Sequence, residues 1–336
     1  MDVKKDMNTK EAVELITQNY SVSEGSLIFS LHERNTFSSR QFWDLYESIA
    51  TVVNASQYDD QLTKQISYCY QTILKMLIWH FDTNDLYAIN DLPYDYPRYI
   101  DCLDYAVLAY YRKNPEILKS AGRDNAVKRY IDCLDKGSIP WNRMFTAYGT
   151  AENYCELLSA LEQTLDTEQW EKYYNRLSDF EHQSTLFPPA PFVLTFLVRI
   201  LQQLLRNGNA DAIVKKLLDR FLYYAGLCNT AESMDHAEPL RQFSDLLNDE
   251  NLLPEDYTEE DLLKIYEDPD AISDQLFYSF YYYTKIVLSE VPDILDYYKC
   301  YPDESKELRR RTENIPLKKI YGAAPSTQVT RVSFNL

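Results

Sequence analysis

The amino-acid sequence predicts an all-α fold, and three observations support this prediction. The chain has 336 residues but only 7 glycines, and its prolines recur where helical patterns begin, as at Pro115, Pro140 and Pro292. Apolar residues recur at helical spacing, while alternating strand patterns are nearly absent before the last dozen residues. We therefore expect a multi-helix bundle or a short α-solenoid-like array of antiparallel helix hairpins, followed by a short irregular or single-strand tail.

Capping signals and apolar spacing place the individual helices. Two residue pairs, Ser38 with Gln41 and Thr258 with Asp261, resemble capping boxes. In a capping box, the side chain of each residue bonds the backbone of the other, three residues away. The helices are expected near residues 9–20, 38–56, 59–81, 94–113, 115–135, 140–163, 167–181, 191–206, 210–227, 237–248, 258–267, 270–290 and 292–300.

The strongest local prediction is an antiparallel helix hairpin over Pro191 to Leu227. Ile213, Leu217 and Phe221 repeat every four residues, which is typical of a core-facing helix. Gly208 lies in a polar turn between this helix and the preceding apolar one.

The domain organisation is predicted from a proline-rich stretch rather than from any long linker. The proline-rich stretch near residue 187 divides a helical region at 1–186 from a second at 187–313, and we expect the two to pack as one globular unit. Residues 314–336 are expected to be a tail. Within the tail, residues 328–334 alternate between branched or aromatic and polar side chains, which favours a lone edge strand or an irregular segment.

One heptapeptide occurs twice. The sequence from Arg98 to Asp104 recurs identically from Arg129 to Asp135. A spacing in the thirties is the size of a helix-hairpin repeat, so one interpretation is duplicated packing in a helical-repeat scaffold that binds a peptide or protein. The alternative is a site of hard oxygen ligands for a metal ion, supplied by four aspartates. These are Asp101, Asp104, Asp132 and Asp135.

Charge restricts the classes of ligand. The 34 Lys and Arg against 52 Asp and Glu give a formal charge of −18, which repels phosphate backbones and anionic lipid surfaces. We therefore expect neither a nucleic-acid nor a membrane ligand, and we expect a basic protein partner.

Compartment and chemistry are predicted mainly from absent patterns. The 6 cysteines are spread singly, without the spacing of a disulfide framework or a zinc site. The first residues are polar, and the longest apolar stretches are interrupted by charges, so we expect a cytoplasmic protein without a membrane span. None of the familiar nucleophile, phosphate-loop or dinucleotide motifs occurs. We accordingly predict no catalytic residue, no metal site and no cofactor.

A third functional alternative comes from a partial resemblance to class I terpene synthases, which are all-α, Mg²⁺-dependent enzymes. Asp82 and Asp85 resemble a fragment of their aspartate-rich motif, and Asn229 with Ser233 resembles the first two ligands of their second motif. The chain departs from that second motif at Ala237, where the family has Glu. The nearest glutamate, Glu238, comes one residue later. A shift of one residue on a helix turns a side chain by about 100°.

The carboxyl-terminal third carries the most asymmetric charge. From residue 245 to 274 there are many carboxylates and only one cation, Lys264. Such self-repulsion is relieved by a basic partner. An aromatic run at 276–283 follows, and we expect it to pack in the core. The predicted partner-binding residues are Asp245, Asp249, Glu250, Glu255, Asp256, Glu259, Glu260 and Asp261.

In helical content, acidity and the absence of active-site motifs, the chain is similar to the all-α immunity proteins of bacterial toxin systems. The sequence thus favours an immunity-type inhibitor that neutralises a basic toxin or effector enzyme through an acidic and aromatic surface. The helical-repeat scaffold and the Mg²⁺-dependent enzyme are the alternatives.

Overall fold

The computed structural model describes residues 7–119, 126–208, 210–268 and 271–313. The described chain is predominantly helical, which confirms the predicted all-α class. The helices are α1 (Thr9–Tyr20), α2 (Leu27–Glu33), α3 (Ser39–Asn54), α4 (Asp60–Phe81), α5 (Tyr96–Arg112), α6 (Glu116–Lys119), α7 (Ala126–Cys133), α8 (Tyr154–Gln163), α9 (Thr167–Leu177), α10 (Ala190–Asn207), α11 (Asp211–Glu232), α12 (Glu259–Glu267), α13 (Asp274–Leu288), α14 (Val291–Tyr298) and α15 (Pro302–Thr312). Two short antiparallel hairpins are formed by β1 (Phe145–Thr146) with β2 (Gly149–Thr150), and by β3 (Glu181–His182) with β4 (Thr185–Leu186).

Several helix starts follow the predicted capping chemistry. The Ser38 side chain accepts a hydrogen bond from the Gln41 backbone at the start of α3. Thr258 and Asp261 form a complete capping box at the start of α12, because each side chain bonds the backbone of the other residue. The predicted hairpin of α10 and α11 is also present, and Gly208 ends α10 at a positive φ of 68°.

The predicted helix at 140–163 is wrong in its first half. Pro140 leads instead into a 3-10 turn at Trp141–Arg143, in which the Trp141 indole donates to the Lys136 carbonyl. The first hairpin follows, with Gly149 at a φ of 138° that side-chain-bearing residues rarely adopt. Helix α8 begins only at Tyr154.

Other differences concern the ends of elements. The predicted helix at 237–248 is largely irregular and contains only a 3-10 turn at Phe243–Leu247. The short helices α2 and α15 were not predicted. The predicted tail strand at 328–334 lies outside the described residues.

The hydrophobic core forms two clusters. The N-terminal cluster contains buried residues from Ala12 to Tyr110, and the C-terminal cluster contains buried residues from Ile131 to Leu308. The division at 186/187 suggested by the sequence falls inside the C-terminal cluster. The short helix α7 joins the two, since its Ile131 belongs to the C-terminal cluster while Cys133 packs against the N-terminal one.

Helix α13 takes up the aromatic run of the sequence. Tyr278, Phe280, Tyr281 and Tyr283 are buried, as expected from a segment that is apolar on every side. Among the described helices, none is both long enough and apolar enough to cross a membrane.

Candidate functional site

The predicted partner-binding carboxylates lie in the segment before α12, which contains two 3-10 turns, and in the first turn of α12. Six of the eight are exposed, and the other two, Asp245 and Asp261, are partly buried because they cap local structure. Asp245 accepts a hydrogen bond from the Gln242 backbone at 2.9 Å. Asp261 accepts from the backbone and the hydroxyl of Thr258, both at 2.9 Å. These two residues therefore hold the segment's shape, while the exposed six face solvent.

Arg143 anchors the loop that precedes α12. Its side chain is mostly buried, and its Nε donates to the Leu253 carbonyl at 2.6 Å while Nη1 pairs with Asp249 at 2.8 Å. The Leu253 backbone in turn donates to the Arg143 carbonyl at 2.9 Å. Hydrogen bonding by Arg143 lowers the pKa of Asp249. The loop is thus fixed to the turn that leads into the first hairpin.

Tyrosine hydroxyls fix α12 to the same hairpin. The Tyr266 hydroxyl donates to the Thr146 carbonyl at 2.7 Å and accepts from the Gly149 backbone at 3.2 Å. Just before α12, the Tyr257 hydroxyl lies 3.4 Å from the Thr150 hydroxyl. Because no residue of α12 is buried, these contacts at its edges position the helix.

Exposed aromatic and apolar side chains lie beside the carboxylates. Tyr148, at the turn of the first hairpin, is 69% exposed, and its hydroxyl is 3.0 Å from Nδ1 of His182 in the second hairpin. On α12, Leu263 is 53% and Tyr266 43% exposed. We call the six exposed carboxylates together with these three side chains the acidic face, which comprises Tyr148, Asp249, Glu250, Glu255, Asp256, Glu259, Glu260, Leu263 and Tyr266.

The arginines of α15 pair with other carboxylates. Arg309 bonds Asp293 at 2.9 Å and Asp296 at 2.7 Å, both on α14. Arg310 and Arg311 each lie 2.7 Å from Glu307 on their own helix. Within the described chain, these three arginines neutralise acidic residues near α15 and not those of the acidic face.

A second charged region, which sequence reasoning missed, lies where the two clusters meet. Arg98 on α5 donates to Asp95 at 2.8 Å and also pairs with Asp132 on α7. Lys128, one turn before Asp132, pairs with Glu290 between α13 and α14 and lies 3.4 Å from Asp132. We call these five residues the junction network.

Burial and pairing act in opposite directions on the carboxyl groups of the junction network. Burial alone would raise the pKa of Asp132, but the charges of Lys128 and Arg98 hold it below its ordinary value. Burial raises the pKa of Glu290, and Lys128 opposes this effect only partly. Ion pairing therefore outweighs burial in its effect on the pKa of Asp132, whereas burial outweighs ion pairing in its effect on the pKa of Glu290.

The junction also contains a cavity of about 490 Å³. Its walls come from the starts of α3 and α5, from α7 and α10, and from α13 and α14 around Glu290. Arg199 on α10 also lines this cavity. Its guanidinium donates to the carbonyls of Ile131 at 2.6 Å and Leu134 at 2.8 Å, and these bonds cap the end of α7. The ion pairs and this cap hold the charged groups of the wall in place.

The repeated heptapeptide is used at the junction. Arg98 comes from the first copy and Asp132 from the second, so the two copies pair with each other. Arg129 of the second copy pairs with Glu47. The guanidinium carbons of Arg98 and Arg129 lie 5.3 and 5.4 Å from the ring centroid of the buried Trp43. These contacts give the repeat a structural role in joining α3, α5 and α7.

The metal-ion alternatives can be compared with the arrangement of side chains. In the part of the chain that the structure describes, no group of three or more His, Cys, Asp or Glu side chains is arranged to hold a metal ion. Asp104 accepts a hydrogen bond from the Tyr70 hydroxyl at 2.9 Å, while Asp132 belongs to the junction network. Asp82 bonds the backbone and side chain of Asn84 in a turn.

Comparison with known proteins gives no relative: no protein-family model, curated protein or solved structure matches this chain.

Proposed function

We propose that this protein is a cytoplasmic protein-binding module of the immunity type, which blocks a basic toxin or effector enzyme by covering it with the acidic face. The observation that carries the proposal is the set of exposed carboxylates that have no ion pair within the described chain. These are Glu250, Glu255, Asp256 and Glu259.

Electrostatics supports a basic partner. Carboxylates collected on one short segment create a negative potential that steers a cationic surface inward and speeds association. A partner that brings Lys or Arg side chains to the acidic face also relieves the mutual repulsion of its carboxylates. Nucleic acids and anionic lipids are repelled by the same potential.

The neighbouring side chains support a protein rather than a small ion as the partner. Interfaces take most of their binding energy from a few large side chains, and tyrosine is among the commonest of these. Tyr148 and Tyr266 are exposed next to the carboxylates, and each has its hydroxyl already bonded within the protein. Their rings are therefore held in position before a partner arrives, which lowers the entropy lost on binding.

Positional rigidity supports an inhibitor in particular. An inhibitor must capture its target quickly and release it slowly, which requires both steering charges and fixed contacts. Arg143 and the tyrosine hydroxyls attach the loop and α12 to the hairpin. The face is thus presented on a fixed support.

The test compares two variants of equal charge. In the first, Glu250, Glu255, Asp256 and Glu259 are changed to the corresponding amides. In the matched control, four exposed carboxylates of the N-terminal cluster are changed in the same way. The control positions are Glu14, Glu24, Glu33 and Asp60.

Wild type and both variants are used to recover partners from the source organism at low and high salt. We expect a basic enzyme to be retained by the wild type and the control, to be lost with the acidic-face variant, and to be inhibited by the wild type. Retention should weaken as the ionic strength rises, because the Debye length falls from about 10 Å at 0.1 M to about 3 Å at 1 M. Equal retention by both variants contradicts the proposal, and so does a retained protein that is acidic.

A further inference from the structure

Helix α4 carries apolar side chains on two sides. Its inner side contributes Ile66 and Ile73 to the N-terminal cluster. On the outer side, Leu74, Ile78 and Phe81 follow one another at i, i+4 and i+7, the spacing of a second helical stripe. Ile78 is 68% and Phe81 49% exposed. If this outer side of α4 faced only solvent, we would expect polar residues at these positions.

The outer stripe forms one wall of a groove whose other wall is the start of α5. Tyr96, Pro97 and Ile100 line that wall, and the rings of Phe81 and Tyr96 meet at 5.2 Å. The groove is open to solvent, has a volume of about 720 Å³ and is overwhelmingly apolar. The charged residues that line it, Asp82 and Asp101, are both acidic.

We propose that this groove between α4 and α5 binds an amphipathic helix of a partner protein, with apolar residues on the helix face that enters the groove and Lys or Arg at its flanks. The outer stripe Leu74, Ile78 and Phe81 offers contacts at helical spacing, which is how a helix laid in a groove is recognised. The exposed Asp82, which follows Phe81, selects a cationic flank by charge complementarity.

The same charges disfavour a second copy of this chain as the occupant. Two copies that met symmetrically through the groove would bring Asp82 of both copies into one apolar interface, where like charges repel each other. The site is also distinct from the acidic face, since the groove belongs to the N-terminal cluster.

The experiment measures the binding of a fluorescently labelled model peptide to the full chain by fluorescence anisotropy. The probe is a helix of about four turns, roughly 15 residues, with Leu on one face and Lys on the other. A second peptide has Glu in place of Lys. We expect the Leu–Lys peptide to bind and the Leu–Glu peptide not to bind.

The groove variant is Ile78→Gln, which is neutral and replaces a largely exposed side chain, so the fold is retained. We expect it to weaken the Leu–Lys peptide about tenfold, since burying such a side chain contributes about one factor of ten in affinity. The matched control is Leu165→Gln, which replaces another largely exposed apolar residue outside the groove, at 58%, and it should bind like the wild type.

Three outcomes overturn the inference. The first is no binding of the Leu–Lys peptide to the full chain, or equal binding by Ile78→Gln. The second is a loss of affinity in the acidic-face variant as large as that in Ile78→Gln, which would place the peptide on the acidic face. The third is a dimer in sedimentation that Ile78→Gln converts to a monomer, which would identify the occupant as a second copy.

Discussion

The acidic face and the junction network are both rich in charged side chains, but their carboxylates differ in burial and in pairing. In the junction network, Asp132 is 8% and Glu290 16% exposed at the side chain, and each is paired with a cation. On the acidic face, Glu255 and Glu259 are exposed and have no ion pair within the described chain. Only in the junction network is every carboxylate paired with a cation.

The difference shows which charges the fold requires. A carboxylate removed from water needs a partner because an unpaired buried charge costs several kcal/mol of folding free energy. An exposed carboxylate remains hydrated and needs none. The fold therefore explains the positions of Lys128 and Arg98, whereas it gives no reason for the excess of carboxylates on the acidic face. That excess is the basis of the proposed binding of a basic partner.

The largest expected effect is the removal of the central cation of the junction network. Lys128→Met leaves Glu290 and Asp132 buried with less positive charge, so we expect the free energy of unfolding to fall by about 3–5 kcal/mol, measured by urea denaturation. Lys215→Met is the matched control, because Lys215 pairs with Asp211 at 2.9 Å but both side chains are mostly exposed. A loss of less than about 1 kcal/mol in Lys128→Met would contradict a supporting role of the network.

A smaller effect is expected in the pH dependence of stability. The folded-state pKa of Glu290 is raised above its ordinary value of 4.5 by burial. Its contribution to stability is therefore fully present below pH 4.5 and is lost as the pH rises through the folded-state pKa. Glu290→Gln keeps a neutral group, so the wild type should lose stability relative to this variant over that range, by at most about 1.4 kcal/mol per pH unit.

Urea denaturation of the two proteins at successive pH values measures this difference. The opposite dependence of Asp132, whose lowered pKa removes stability as the pH falls below its ordinary value of 3.8, is shared by both proteins and largely cancels. Parallel curves above pH 4.5 would show that Glu290 does not titrate as the structure indicates.

The smallest effect is expected on the acidic face. Glu255→Gln combined with Glu259→Gln removes two exposed carboxylates, so the thermal midpoint should stay within about 2 °C of the wild type. The measurement is a circular dichroism melt at low salt. A drop larger than that would mean that these carboxylates support the fold and are not reserved for a partner.

The sequence was a good guide where the signal is local. The ladder of Ile213, Leu217 and Phe221 predicted α11 because every fourth residue of a packed helix faces the core. The capping box of Thr258 and Asp261 predicted the start of α12 because its two bonds join residues three apart. The exposed position of most predicted carboxylates of the acidic face follows from the same local chemistry, although their role in binding stays a prediction.

The sequence was a poor guide where structure depends on distant residues. Strands β1 to β4 are two residues long, too short for any alternation to be visible, and the first hairpin depends on Tyr266 from α12. The junction network joins side chains that are far apart in the chain. The repeated heptapeptide contains both Arg98 and Asp132, but only the fold shows that these two residues pair with each other.

The separation of Lys128 from its partner also bears on how the protein is made. Glu290 follows Lys128 by 162 residues, and ribosomes add about 5–20 residues per second. Lys128 therefore leaves the ribosome roughly 10 to 30 s before the carboxylate that neutralises it. During that interval α7 cannot pair with Glu290, so the junction between the two clusters is completed only after Glu290 has been translated.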